Sequence, residues 1–225
     1  MAWTESWNGF PARTAGAIAL ALFAGATVPA FAVAQADYTS PAVVPPTDAY
    51  VGGTVDSGER ELHRWRTGTD TERTVWVHFA EPPDERPTFW DEAVRALDTW
   101  NAVQGLPLAF QRTDHAATAD VTFRWIQRFD ANQAGTTDWE TDGEGWLTSA
   151  VVTLATEHAE GTPMSDEFLR FVALHELGHV VGLPHSEDPS DVMHPGNRNR
   201  DLSDRDVRSA RQLYERLDPD RVHGP

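Results

Sequence analysis

An α+β fold is predicted: a twisted mixed β-sheet with two long helices packed on it and a C-terminal helix closing the chain. Three observations carry this. Between Thr74 and Trp125, stretches rich in β-formers and stretches with apolar residues at helical spacing come in the order strand, helix, strand, strand. An apolar run at 150–156 is followed by a helix that starts at Ser165 and bears His175 and His179. A last amphipathic pattern covers 202–214. A chain of 225 residues, 40% hydrophobic, has enough apolar side chain for one core, so one domain and a processed N-terminus are expected.

The chain begins with an apolar, alanine-rich run from Ala15 to Val28, preceded by Arg13 and followed by Ala34-Gln35-Ala36. These are the parts of a secretory signal over 1–36, cleaved after Ala36; an uncleaved membrane anchor is the alternative reading of the same run. Residues 37–59 carry Pro41, Pro45, Pro46, Gly52, Gly53 and Gly58 and read as a linker or short pro-segment. The folded domain is expected over 60–217, with a tail at 218–225.

Inside the domain, Thr74 to Phe79 suits a strand. From Thr88, the apolar positions Phe89, Ala93, Leu97 and Trp100 predict a helix. Leu108 to Phe110 and Ala119 to Trp125 read as two further strands. The tryptophans and phenylalanines here are expected in the core rather than on a substrate platform. Asp130 to Gly145, with five carboxylates among three glycines, reads as a polar loop. Ala150 to Thr156 reads as a buried strand. Ser165 is the predicted N-cap of the next helix, with Asp166 and Glu167 in its first turn, where the helix dipole favours negative charge. Ser203 is the predicted N-cap of the last helix.

The strongest chemical signal is His175-Glu176-Leu177-Gly178-His179-Val180-Val181-Gly182-Leu183-Pro184-His185. Histidines at i and i+4 of a helix project from one face and reach one ion. Continued helix would carry His185 far along the axis. Gly182 accepts positive φ, so it ends the helix and brings His185 back. Three imidazoles leave the fourth position of a tetrahedral Zn²⁺ open, the pattern of a catalytic site, and Glu176 stands beside them as general base. His63, His78, His115, His158 and His223 have no such spacing and read as surface or satisfied polar residues; His194 is set apart because it directly follows Met193.

Composition narrows the partners. The formal charge is -17, which repels polyphosphate and makes nucleic acid a poor partner, and all 18 basic residues are arginine. There is no cysteine, hence no disulfide and no thiolate ligand.

The string from His175 to His185, continued by Ser186 and by Asp191-Val192-Met193-His194-Pro195, resembles the matrixin branch of the metzincins. That resemblance implies the zincin fold and a zinc endopeptidase acting on peptide or protein substrates; the signal read over 1–36 makes it secreted, without stable membrane association after cleavage, and a monomer is expected. It implies that Met193 forms a turn beneath the zinc and that Asp206 braces that turn. It also implies calcium sites and a substrate-holding edge strand in the region of the acidic loop, where Ca²⁺ remains an expectation. A second, structural zinc does not carry over, because the loop lacks histidine, and matrixin latency through a propeptide cysteine does not carry over either. His194 stands where matrixins usually have tyrosine and would make that pocket wall more polar. Two other readings stay open: a non-catalytic zinc-containing extracellular binding module, and a zinc hydrolase of non-peptide amides.

Overall fold

The computed structural model describes residues 15–21, 49–52, 63–68, 71–130, 133–196 and 199–216. The cleavage site at Ala34 to Ala36 and the tail from 218 lie outside the described residues.

The sheet order is β1-β6-β7-β5-β3-β4. Its strands are β1 (Ala15–Ala21), β2 (Arg64–Trp65), β3 (Arg73–Phe79), β4 (Leu108–Arg112), β5 (Val121–Ile126), β6 (Gln133–Thr141) and β7 (Trp146–Ala155). The helices are α1 (Thr88–Asn101), α2 (Asp166–Val181) and α3 (Asp204–Arg216). β3, β4, β5 and β7 run parallel, which requires crossover connections, and α1 supplies the one between β3 and β4. β6 is antiparallel to β7, and β1 is antiparallel to β6. β2 adds a two-residue parallel pair to β7. This is the mixed sheet and three-helix set that the sequence predicts.

The helices are anchored by aromatic residues whose polar atoms are satisfied. α1 buries Phe89, Ala93, Ala96, Leu97 and Trp100. The Trp100 indole donates to Leu174 O at 3.0 Å and the Trp65 indole to Val180 O at 2.9 Å, so both rings pin α2 from outside it. A buried indole needs such an acceptor, which fixes its orientation as well as its packing. These side chains are core, as expected, whereas Trp76, on the other face of β3, is exposed and departs from that expectation. α2 starts as predicted: Ser165 Oγ accepts from Phe168 N–H at 3.1 Å.

Two stretches differ from the sequence reading. The acidic "loop" contains β6, a nine-residue strand. Thr136, Thr137 and Trp139 favour an extended chain, and one face of β6 packs on α2 while its carboxylates point elsewhere. Polarity reads as loop when only one face is apolar. From Gln133 on, the part outside the strand is the hairpin turn: Asp142 Oδ1 accepts from Glu144 N–H and Trp146 N–H at 2.9 and 3.0 Å, and Arg66 bridges Asp142 and Glu144. Among the described residues these carboxylates are not gathered into a cation site.

Within the stretch read as a linker, Tyr50–Gly52 forms a 3₁₀ turn against α3. Val51 is buried, Tyr50 OH donates to Asp206 Oδ1 at 3.0 Å, and Tyr50 N–H donates to Ser209 Oγ at 3.0 Å. Proline and glycine dominate the local composition there and mask the two residues that dock.

Candidate metal centre

α2 delivers His175 and His179 from one face, both buried. Its end is set by Gly182, at φ 105°, where Leu183 N–H bonds to Gly178 O at 2.9 Å in the reversal that a left-handed residue permits. A Cβ at 182 would also overlap His63 O and lie 3.0 Å from Leu213 Cδ2. Conformation and space therefore both demand glycine. Beyond this turn the chain returns His185 to the other two histidines.

The ring nitrogens are sorted by their partners. His175 Nδ1 lies 2.7 Å from Val192 O, and His179 Nδ1 lies 2.8 Å from Leu183 O. A carbonyl only accepts, so both Nδ1 atoms carry the proton and both Nε2 atoms present lone pairs. His179 Nε2 is 3.1 Å from His175 Nε2 and 3.3 Å from His185 Nε2. Ligand nitrogens at ~2.0–2.1 Å from a tetrahedral Zn²⁺ lie roughly 3.3 Å apart. Lone pairs crowded this closely repel unless a cation sits between them. The three histidines are, among the described residues, the group suited to hold a metal.

The environment keeps the imidazoles in their ligand form. Burial, then the neighbouring charge of His185, pulls His175 down to about 3, and burial holds His179 well below its ordinary value. Glu176 is fully buried one residue along, and burial pushes it up to about 8, with Asp138 adding to the rise and the Thr137 hydrogen bond opposing it. Its Oε2 accepts from Thr137 Oγ1 at 2.7 Å, while Oε1 has no partner among the described residues.

Further contacts come from the chain that follows His185. Met193 is fully buried, and a Cβ at Gly178 would overlap its Sδ and lie 3.1 Å from its Cε. Asp206 Oδ2 accepts from Val192 N–H at 2.8 Å and from Ser203 N–H at 2.9 Å, while Ser203 Oγ accepts from Asp206 N–H at 3.0 Å. The latter two bonds form a reciprocal cap at the start of α3. Ser186 N–H bonds to Met193 O at 2.9 Å, tying the chain after His185 to the same turn. Buried Asp191 accepts from Ser186 Oγ, from Ser203 Oγ at 2.7 Å and pairs with Arg205 at 3.2 Å.

All seven residues singled out in the sequence meet in this region. Thr137, Gly178 and Asp191 join them without having been singled out. Gly178 lay inside the quoted motif, one helical turn from Gly182, which was its only signal; Thr137 lies 39 positions from Glu176 and had none.

The matrixin family model matches residues 65–215, which takes in this site and the sheet and helices that build it. The chain is a matrixin. Among relatives of this matrixin is Metalloendoproteinase 1 of Glycine max, 29% identical over 169 residues, 69% of this chain and 54% of that protein. Matrilysin of Rattus norvegicus is 31% identical over 156 residues, 63% of this chain and 57% of that protein. Matrilysin of Felis catus is 46% identical over 61 residues, 25% of this chain and 23% of that protein. The matrixin chain thus spans little more than half of these relatives, or less. Matrixins use zinc, and the histidine triad has the donor set for it.

Proposed function

We propose that this chain is a secreted zinc-dependent endopeptidase that hydrolyses peptide bonds in extended protein segments. The observation that carries the reading is the convergence of three Nε2 atoms beside a buried carboxylate with one oxygen unpartnered among the described residues.

His175, His179 and His185 would hold the ion. Zinc bound there supplies Lewis acidity, lowering the pKa of water and polarising the scissile carbonyl. Glu176 takes the proton from the water whose oxygen attacks the carbonyl carbon, and passes it to the leaving amine as the C–N bond breaks. Without an ion, burial raises this carboxyl to about 8; the positive charge of a bound ion opposes that rise and favours the carboxylate that accepts the proton. Val192 O and Leu183 O hold the two imidazole rings through Nδ1, which keeps Nε2 basic.

Substrate is read as an extended strand along the outer edge of β6. In support, that edge accepts an antiparallel strand: β1 pairs there, Ile18 opposite Thr137. β1 falls in the run read as a signal, so removal of 1–36 takes it away and leaves the edge to substrate. No helix among the described residues is long and apolar enough to cross a membrane.

The test is hydrolysis of casein or gelatin by purified protein, with and without a chelator, and after zinc is restored. The reading expects cleavage that chelation abolishes and zinc restores. Zinc binding without cleavage would make it a binding module, and cleavage confined to small amides would make it a different hydrolase.

A further inference from the structure

Strand β6 meets Glu176 with two residues of its inward face, Gly135 and Thr137. Thr137 is fully buried, and its Oγ1 lies 2.7 Å from Glu176 Oε2 and 3.1 Å from the Glu176 backbone oxygen. A threonine hydroxyl has one hydrogen, and the shorter contact to a carboxylate is the stronger of the two bonds. Gly135 keeps the neighbouring space clear. A Cβ there would lie 2.6 Å from Val172 Cγ1 and 2.8 Å from Glu176 Oε1. The two carboxylate oxygens are therefore unequal: Oε2 is engaged by the strand, and Oε1 is buried without a partner among the described residues.

A buried carboxylate oxygen left without a donor costs free energy unless something else occupies its lone pairs. In a site that activates water, the reacting water can fill that place. A carboxylate free to rotate about its last torsion would offer either oxygen, and a terminal torsion of this kind is broad.

We infer that Thr137 is a positioning residue for Glu176: its hydroxyl holds Oε2, so that Oε1 is the oxygen that takes the proton from water. This deepens the hydrolytic reading above and rests on it. β6 then serves the reaction twice, offering its outer edge to an extended peptide and its inner face to the base.

The variant Thr137→Val keeps the shape and removes the hydroxyl, and Thr137→Ser keeps the hydroxyl. With zinc content and Tm first matched to the parent, the expected result for Thr137→Val is a kcat lower by on the order of tenfold with KM within about twofold, the split expected when only transition-state geometry is lost. Thr137→Ser is expected to restore kcat. If the valine variant folds poorly, Thr137→Ala is measured in its place. Crystal structures of the zinc-loaded parent and variants give a readout that does not depend on turnover: the Glu176 carboxylate is expected to turn away from its parental orientation in Thr137→Val and to keep it in Thr137→Ser. An unchanged kcat, a loss appearing in KM alone, a serine variant without rescue or an unmoved carboxylate in Thr137→Val would overturn the inference. A parent that cleaves no peptide sinks the hydrolytic reading instead, while the crystallographic comparison still decides the positioning role.

Discussion

Val192 links His175 to Asp206: its carbonyl accepts from His175 Nδ1 at 2.7 Å, and its N–H donates to Asp206 Oδ2 at 2.8 Å. One peptide segment therefore transmits the position of α3 to a ring of the histidine triad. Asp206→Ala removes the acceptor for the Val192, Met193 and Ser203 N–H groups and for Tyr50 OH. The expected result is a zinc affinity weakened roughly 10- to 100-fold, as for other outer partners of metal ligands, with a loss of about 1–3 kcal/mol in stability. Zinc competition with a chromogenic chelator and urea denaturation measure the two. An unaltered zinc affinity would show that the turn holds its shape without Asp206.

Gly182 combines φ 105° with a close backbone approach to His63 O. Gly182→Ala is expected to cost roughly 1–2 kcal/mol from the left-handed conformation alone, and more from the overlap. Because His185 follows this turn, the variant should also lose zinc at a chelator concentration the parent withstands. Thermal unfolding together with zinc retention checks both effects, and a variant matching the parent in each would contradict the role assigned to the turn.

In the metal-free protein the two buried histidines and Glu176 together favour the fold most near pH 6.5 and less on either side. Burial depresses His175 to about 3 and His179 well below its ordinary value of 6.5, so their contribution is present above 6.5 and lost as pH falls through the folded values. Glu176 is raised from 4.5 to about 8, so its contribution is full below 4.5 and lost as pH rises through 8. Among these three groups, two histidines outweigh one carboxylate where the ranges overlap, and above 6.5 Glu176 is the one of the three that still acts. Urea denaturation of the metal-free protein across pH 4 to 9 measures this, and Glu176→Gln should flatten the alkaline limb. Identical alkaline limbs in parent and variant would contradict the assignment.

The triad was legible because its geometry is local. A helical period places His175 and His179, and a glycine that can adopt positive φ returns His185. Asp206 was visible only through resemblance to a family, since nothing local says that it faces Val192, 14 positions away. Thr137 was hidden twice, by its distance from Glu176 and by lying in a stretch read as loop. The error over β6 has a physical origin: an edge strand needs one apolar face, and acidic residues on the other face mimic a turn. β1 was read from its apolar run as a signal, a reading to which strand pairing is blind.

The pairing of β1 with β6 leads to a further expectation. A chain starting at Asp37 should cleave a flexible peptide faster than one retaining residues 1–36, because the outer edge of β6 is then free. Comparison of initial rates for the two purified forms at equal zinc content checks this. Equal rates would mean that substrate does not compete with β1 for that edge.

The account depends most on Glu176 being the base at a zinc site built by the three histidines. The direct measurement is turnover of Glu176→Gln at matched zinc content. The account predicts one zinc per chain, retained fold and a kcat reduced by roughly 10²–10⁴. Near-parental turnover by a zinc-loaded Glu176→Gln protein would contradict it.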